Sequence, residues 1–167
     1  IKILTEKKSI KINNILEIGT HNGNFTNFLS DIFENSSIYT IDLPSDDFVF
    51  RNTYRRSDSD DLIKYLEKRK KNLNKKNVHF IEMNSINLFK RFKFGYFDLV
   101  WIDGDHLNPQ VTIDIFQSII ITKKNAIICV DDVIKDEYIS KYGSNESNQT
   151  IETLSNSNII EVNYLIK

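Results

Sequence analysis

The sequence predicts a three-layer α/β domain built around a mostly parallel sheet. Two observations predict this class. Short, nearly continuous apolar runs are typical of strands buried on both faces of a parallel sheet, and here they alternate with segments of helical periodicity. The resulting order βαβαβαβαβ implies right-handed crossovers, with helices covering both faces of the sheet. The length of 167 residues indicates a single domain spanning residues 1–167.

Apolar runs rich in Ile, Val, Phe or Tyr are predicted to be the strands. The first five are Ile15–Ile18, Ile38–Ile41, Val78–Ile81, Phe97–Ile102 and Ala126–Val130. A further strand is predicted over Ile159–Ile166.

Apolar residues at helical spacing predict the helices between these strands. The predicted helices are Asn24–Phe33, Ser59–Lys71, Ser85–Arg91, Pro109–Ile121 and Thr150–Leu154. Asn108 suits the N-cap of the fourth helix and Pro109 its first helical position. Two polar segments, Pro44–Ser57 and Ile134–Asn148, are predicted to be irregular. Both follow strand ends, where α/β domains bind ligands.

The composition is that of an ordinary globular protein, with 40% apolar and 27% charged residues. The net charge of −1 gives no electrostatic reason to expect a nucleic-acid or membrane partner. The basic stretch Lys64–Lys76 is interpreted as a solvated helix face, with an RNA contact as the alternative. A single cysteine, Cys129, favours a reducing compartment and hence a cytoplasmic location. The chain begins with Ile1 rather than Met, which is compatible with truncation at one or both ends.

The loop after the first strand carries the first functional signal. Gly19 and Gly23 flank a tight turn between the first strand and the first helix. Glycine permits positive φ and lets the backbone approach a ligand closely. Three of the five glycines, counting Gly104, follow strand ends at the expected ligand edge. A dinucleotide site would favour G-x-G-x-x-G, and this loop lacks the middle glycine.

Acidic residues at the same edge indicate the charge of the ligand. Glu17 precedes the turn, and Asp103, Asp131 and Asp132 end later strands. These carboxylates would repel a pyrophosphate, whereas they favour the sulfonium and ammonium of S-adenosylmethionine (SAM). The site charge therefore favours SAM and disfavours a nucleotide-dependent oxidoreductase.

The segment Glu17–Gly23, of the form E-x-G-x-x-x-G, resembles motif I of class I SAM-dependent methyltransferases. The resemblance implies a Rossmann-like three-layer αβα sandwich with strand order 3-2-1-4-5, followed by one or two C-terminal strands. It implies that Asp42 accepts hydrogen bonds from the ribose hydroxyls, and that Asn84 and Ser85 contact the adenine. The full set of implied cofactor residues is Glu17, Gly19, Thr20, His21, Asn22, Gly23, Asp42, Leu43, Asn84, Ser85, Asp103 and Gly104.

The segment Phe97–His106 (FDLVWIDGDH) resembles the signature of a bacterial group, methyltransferase family 24-like, that includes sugar and macrolide O-methyltransferases. Asp131 follows Asp103 by 28 residues, one loop, helix and strand later. The two strands should be neighbours, about 4.8 Å apart. Asp103, Asp131 and Asp132 are therefore expected to converge, and the resemblance implies that they bind Mg²⁺. In the alternative, Asp103 contacts SAM, Asp131 caps a helix and no metal binds.

His106 lies three positions after Asp103, and the pair is the predicted catalytic set. An imidazole could take the proton of an acceptor hydroxyl; alternatively His106 only orders the loop or stacks on the cofactor. The sequence thus predicts SAM-dependent O-methylation of a small molecule or glycan. A non-catalytic SAM-binding module is the alternative, and the oligomeric state stays open. The loop with Phe48, Phe50 and Tyr54 could form an acceptor wall or simply pack.

Overall fold

A computed structural model describes residues 11–53, 56–134 and 145–163. The described residues form one sheet of five parallel strands in the order β3-β2-β1-β4-β5, which confirms the predicted architecture and strand order. The strands are β1 Asn14–Ile18, β2 Ser37–Asp42, β3 Val78–Glu82, β4 Phe97–Ile102 and β5 Thr122–Val130.

The predicted helices between the strands are also present. A 3₁₀ turn at Ser85–Asn87 leads into the fourth helix. The helices are α1 Asn24–Ile32, α2 Phe48–Asn52, α3 Ser59–Asn72, α4 Leu88–Arg91, α5 Gln110–Ile121 and α6 Glu146–Asn156. Within the described ranges, no helix is both long and apolar enough to cross a bilayer.

Two apolar layers hold the helices against the sheet, one on each face. On one face Ile15, Ile38 and Leu99 pack with Leu29 of α1. The other face carries a larger cluster that includes the following residues from β1, β4, α5 and α6: Leu16, Val100, Ile102, Val111, Ile115 and Leu154. Because successive strand residues point to opposite faces, burial on both sides explains why the strands read as continuous apolar runs.

The candidate site lies at the carboxyl ends of the strands, at the point where the strand order reverses on either side of β1. β1 pairs with β2 on one side and with β4 on the other, so Ile18 lies opposite both Ile41 and Ile102. This is the switch point at which open α/β sheets bind ligands. Ile102 in turn lies opposite Val130 of β5. The residues that follow these four strand ends are therefore neighbours at one edge.

Asp98, the first aspartate of the FDLVWIDGDH segment, lies near the start of β4 and has a structural role there. Asp98 Oδ2 accepts hydrogen bonds from the backbone N–H groups of Asn13 and Asn14, both at 2.9 Å, and Asp98 Oδ1 pairs with Lys123 Nζ at 2.7 Å. Burial alone would raise the pKa of Asp98, but Lys123 and these N–H groups outweigh it and lower the pKa. Asp98 therefore anchors the start of β1 to β4 and β5, far from the ligand edge.

Three local predictions need correction. Helix α5 begins at Gln110 with Pro109 at the N-cap position, one residue later than predicted from Asn108. The segment Pro44–Ser57 is not wholly irregular, because Asp47 Oδ1 accepts from the N–H groups of Val49 and Phe50 and starts α2. β5 begins at Thr122 rather than Ala126. Its first four residues are polar, so they do not belong to the apolar run from which the strand was predicted.

The C-terminal predictions are confirmed in part. The helix predicted over Thr150–Leu154 lies within α6, which begins at Glu146 inside the segment predicted as irregular; residues 135–144 lie outside the described residues. In the strand predicted over Ile159–Ile166, residues 159–163 form no strand, and residues 164–166 lie outside the described residues. Ile160 and Val162 pack against the core instead, which accounts for their apolar alternation.

Candidate active site

Gly19 brings the first turn into direct contact with the end of β4. Its φ is +98°, and its N–H donates to Ile41 O at 2.9 Å. A Cβ at this position would lie 2.0 Å from the carbonyl oxygen of Asp103 and 2.9 Å from the nitrogen of Gly104. The sequence predicted close approach to a ligand here; the structure shows that the close approach is to the backbone after β4.

The rest of the turn is fixed between the end of β2 and the end of α3. His21 has a φ of +48° and donates its N–H to Asp42 Oδ2 at 2.9 Å. Asn22 O accepts from Asn72 Nδ2 at 2.8 Å. Gly23, with φ +75°, packs its backbone against Leu73. The turn is thus held in place by contacts within the protein, which is the preorganisation that a cofactor site needs.

Glu17 is a buried carboxylate at the end of β1, with a relative exposure of 1%. The hydroxyls of Thr26 and Thr40 both donate to its Oε2. Thr40 in turn shares a hydrogen bond of 2.6 Å with Thr20, so Thr20 supports this network rather than facing a ligand with its hydroxyl. Burial raises the pKa of Glu17 to about 7, although the two threonine hydroxyls oppose the shift.

Replacing Glu17 with glutamine is expected to stabilise the cofactor-free protein at alkaline pH. The pKa of Glu17 rises from 4.5 to about 7 on folding, so the native state binds more protons and the free energy of unfolding falls as pH rises through that window. Glu17→Gln removes this cost, and we expect a gain of about 1–3 kcal/mol at pH 8. Chemical denaturation at pH 8 and pH 4.5 measures it.

The gain should be small at pH 4.5, where native Glu17 is already protonated. Glu34→Gln, at an exposed position after α1, is the matched control and should show no gain at either pH. An equal gain for Glu17→Gln at both pH values would contradict the burial argument.

Asp42 ends β2, as predicted, and its carboxylate is held from three directions. Its Oδ1 accepts from Leu43 N–H at 2.8 Å and its Oδ2 from His21 N–H, while Arg69 Nη1 lies 3.8 Å from Oδ2. Burial raises the pKa of Asp42, and Leu43 N–H and Arg69 oppose that shift. Arg69 is a residue that the sequence analysis missed, because it reads as one more cation in a basic helix.

Aromatic rings from α2 and β3 lie against this arginine. The guanidinium of Arg69 lies 5.1 Å from the ring of Phe50 and 4.7 Å from that of Phe80. Arg56 lies 4.0 Å above Phe50. Phe50 is buried and serves packing, so it is not an acceptor wall, whereas Phe48 is 79% exposed. The third aromatic of that prediction, at position 54, lies outside the described residues.

The predicted adenine contacts lie at the end of β3. Asn84 Oδ1 accepts from Ile86 N–H at 3.0 Å and caps the 3₁₀ turn. Ser85 Oγ accepts from Gln110 Nε2 of α5 at 2.7 Å. Gln110 also donates to Asp114 Oδ1 at 2.9 Å. A polar network therefore joins the end of β3 to α5, and its two α5 members were not predicted from the sequence.

The predicted catalytic pair lies at the end of β4, facing β5. His106 Nε2 is 3.7 Å from Asp103 Oδ1 and 3.9 Å from Asp132 Oδ2. Its side chain is 31% exposed, so it is accessible to a substrate. The imidazole nitrogen thus lies within 4 Å of two carboxylates, one after β4 and one after β5.

The predicted Mg²⁺ site is not assembled among the described residues. Asp103, Asp131 and Asp132 follow neighbouring strands as expected, but no group of three His, Cys, Asp or Glu side chains in these ranges could hold a metal ion. His106 takes the position between Asp103 and Asp132. The donor set therefore does not fit the three-carboxylate centre that the sequence suggested.

The parallel sheet in the order 3-2-1-4-5 and the glycine turn after β1 define a class I SAM-dependent methyltransferase fold. Residues 16–133 match the sequence profile of a family described as a methyltransferase domain. The match covers well over half of the chain, and the chain belongs to this methyltransferase family. No curated protein matches it in sequence.

Solved methyltransferase structures share the fold at low sequence identity. A proposed O-methyltransferase from Klebsiella pneumoniae has a TM-score of 0.58 and 18% identity, over 93% of this chain and 64% of that one. A proposed caffeoyl-CoA O-methyltransferase from Staphylococcus aureus has a TM-score of 0.57 and 20% identity, over 94% and 68%. Fibrillarin from Aeropyrum pernix, with natively bound SAM, has a TM-score of 0.55 and 16% identity, over 89% and 57%. The chain thus spans roughly three fifths to two thirds of these proteins.

Proposed function

We propose that this protein transfers the methyl group of SAM to a hydroxyl group of a small-molecule or glycan acceptor. The observation that carries the proposal is the position of His106 Nε2 between Asp103 and Asp132, beside the turn of Gly19 that packs against Asp103. A proton acceptor and a cofactor turn are then neighbours at one edge of the sheet.

The residues at this edge fit SAM by charge and by shape. Glu17 and Asp42 lie at the ends of β1 and β2, and Asp103 directly follows β4. Their carboxylates favour a ligand with a sulfonium and an ammonium group. The turn places the N-terminus of α1 at the same edge, without an acidic residue in its first turn. The backbone N–H groups of Leu43 and His21 hold the Asp42 carboxylate in place. This orientation suits it to accept hydrogen bonds from adjacent ribose hydroxyls.

His106 is the residue that we assign to proton transfer. When bound, SAM would supply an electrophilic methyl group for the acceptor oxygen, with its thioether product as the leaving group. His106 Nε2 takes the proton of the acceptor hydroxyl, and Asp103 and Asp132 stabilise the resulting imidazolium. Orientation of the acceptor oxygen against the methyl group would supply most of the rate enhancement.

No step of this proposal passes through a metal ion, because the described donor set does not fit one. Turnover should therefore be retained after treatment with EDTA and should not rise on addition of Mg²⁺. Asp131→Asn should leave turnover within about threefold of the wild type, since Asp131 is assigned no part in proton transfer. Loss of activity with EDTA and recovery with Mg²⁺ would restore the metal hypothesis.

The proposed function is tested in two stages. Calorimetry should detect binding of SAM and of S-adenosylhomocysteine (SAH), and no binding of NAD. Transfer of a labelled methyl group from SAM is then measured with a panel of phenols, catechols and glycans. SAM binding without transfer to any member would favour a non-catalytic SAM-binding module, and NAD binding without SAM binding would overturn the assignment of the cofactor.

The acceptor class and the cytoplasmic location are part of the same proposal. A net charge of −1 supports an acceptor that is not a polyanion. Cys129 is a free thiol within β5, as expected for a chain that needs no oxidising compartment.

A further inference from the structure

The segment Phe89–Phe94, which joins α4 to β4, exposes two aromatic rings beside three cations. Phe89 is 44% exposed and Phe94 is 73% exposed, and their ring centroids lie 5.7 Å apart in an edge-to-face arrangement. The cations Lys90, Arg91 and Lys93 are exposed and pair with no carboxylate of the described residues. Adjacent exposed apolar side chains are typical of a surface that contacts a partner or a lipid.

The Phe89–Phe94 segment is anchored to the core, so the exposure of its two outer rings belongs to the packed structure. Phe92, between the exposed rings, packs edge-to-face on Phe97 at 4.9 Å. Just after the segment, Tyr96 N–H donates to Ile121 O at the end of α5, at 2.7 Å. The backbone is thus fixed at both ends of the exposed turn.

The amino-terminal edge of the sheet, where all five parallel strands begin, is basic. The exposed lysines in the connections at this edge and in the first half of β5 are Lys11, Lys75, Lys76, Lys93 and Lys124. Asp98 at this edge is paired with Lys123. Asp31 is paired with Lys75, which leaves Glu34 as an exposed acid. Cations therefore outnumber acids at the amino-terminal edge, whereas the carboxyl edge with the candidate active site is acidic.

The exposed rings and the cations together match the surface of an anionic membrane. Phe94 lies three positions before β4, so the ring pair lies toward the basic edge. Cations are attracted to anionic headgroups, while apolar side chains enter the boundary with the acyl chains. Ile86, which is 55% exposed, precedes Phe89 by one helical turn and adds an aliphatic side chain. Such a side chain can enter lipid but offers no ring for a base to stack on, so this surface favours lipid over RNA.

We propose that the exposed rings of the Phe89–Phe94 segment, together with the lysines of the amino-terminal edge, dock this protein on the surface of an anionic membrane. The carboxyl edge, with His106, then faces away from the bilayer, and the acceptor reaches it from solution. The whole-chain charge of −1 hides this surface, because the charges of the two edges nearly cancel. The inference does not rest on the proposed function, because no residue of the candidate active site belongs to the docking surface.

Co-sedimentation with vesicles tests the docking surface. Vesicles of phosphatidylserine and phosphatidylcholine in equal amounts are compared with vesicles of phosphatidylcholine alone. The wild type should bind the mixed vesicles at least about tenfold more tightly, and added salt should weaken that binding. Phe89→Ser combined with Phe94→Ser should lower the affinity for mixed vesicles by about tenfold or more. Lys90→Gln combined with Lys93→Gln should lower it by a similar factor.

Matched variants elsewhere on the surface control for exposed rings and for charge. Phe48→Ser removes a ring that is 79% exposed but lies on α2, after the carboxyl end of β2. Lys64→Gln combined with Lys68→Gln removes two exposed lysines of α3, of which Lys68 acts on His21 at the carboxyl edge. Both controls should bind mixed vesicles within about threefold of the wild type. All variants replace exposed side chains and should unfold at the wild-type denaturant concentration, which separates lost docking from lost folding.

Several outcomes would overturn the inference. Failure of the wild type to bind mixed vesicles, or equal binding to both kinds of vesicle, would exclude an anionic membrane. Binding of labelled single-stranded RNA by the wild type, lost in the Phe89–Phe94 variants and without vesicle binding, would assign the surface to nucleic acid. A dimer in light scattering that Phe94→Ser dissociates, again without vesicle binding, would assign it to a second copy of the chain. SAM binding is measured separately and should be unchanged in every docking variant.

Discussion

Replacement of Gly19 by alanine is expected to destabilise the protein by more than about 3 kcal/mol and to abolish SAM binding. Two costs add at this position. The φ of +98° is strained for any residue with a Cβ, and the Cβ would lie 2.0 Å from Asp103 O. Because the obstacle is backbone, relief requires the end of β4 to move away from the end of β1.

Gly95→Ala is the matched control for Gly19→Ala. Gly95 also has a positive φ, +64°, but the nearest atom to its added Cβ is Thr122 O at 4.0 Å. It should therefore show only the conformational cost of about 1 kcal/mol and normal SAM affinity. Denaturant unfolding and calorimetry measure both quantities. Equal destabilisation by the two substitutions would show that close packing against Asp103 contributes nothing.

Replacement of His106 by alanine is expected to lower kcat by about 10²- to 10⁴-fold while leaving the affinity for SAM within about threefold. Its Nε2 lies between Asp103 and Asp132, where a proton taken from the acceptor is stabilised by both carboxylates. The side chain is not part of the turn at Gly19 or of the end of β2, so cofactor binding should not depend on it. Single-turnover rates with labelled SAM, at saturating acceptor, isolate the chemical step.

Chemical rescue separates a catalytic role for His106 from a structural one. Imidazole added to His106→Ala should restore part of the rate, because the small base can enter the space that the side chain leaves. His79→Ala is the control: His79 lies on β3 and stacks on Tyr39 at 4.9 Å, and the variant should transfer methyl groups at the wild-type rate. A kcat for His106→Ala within threefold of the wild type would leave His106 only a loop-ordering role.

Much of the fold could be predicted from local sequence pattern. The parallel sheet follows from apolar runs such as Ile15–Ile18, since burial on both faces removes the usual alternation. Helix α2 was missed because five residues are too few to show periodicity, and its start depends on the side chain of Asp47. The strand expected after α6 was predicted but is not formed by residues 159–163. Ile160 and Val162 pack against the core without joining the sheet, so their apolar pattern resembled that of a strand.

The positions of the candidate site residues at the strand ends could be predicted where the residue type is itself informative, as with Glu17, Asp42 and His106; their roles stay predictions. The support of the site was not predicted. Arg69 gave a weak signal, as a cation three positions after Leu66 on the less exposed face of α3, but it lies 27 positions from Asp42 in the chain and its pairing with that carboxylate could not be predicted. Asp114 gave a weak signal, as an acid three positions after Val111 on the apolar face of a helix, and its hydrogen bond with Gln110 could be recognised only in three dimensions.

The sequence by itself thus determined the class of fold, the glycine turn and the acidic character of the ligand edge, because each depends on residues that are neighbours along the chain. Only the tertiary structure decided how those acids are used. It placed Glu17 under two threonine hydroxyls, Asp42 beside Arg69, and His106 rather than a third carboxylate between Asp103 and Asp132. These pairings depend on side-chain orientation across separate elements, which local pattern does not encode.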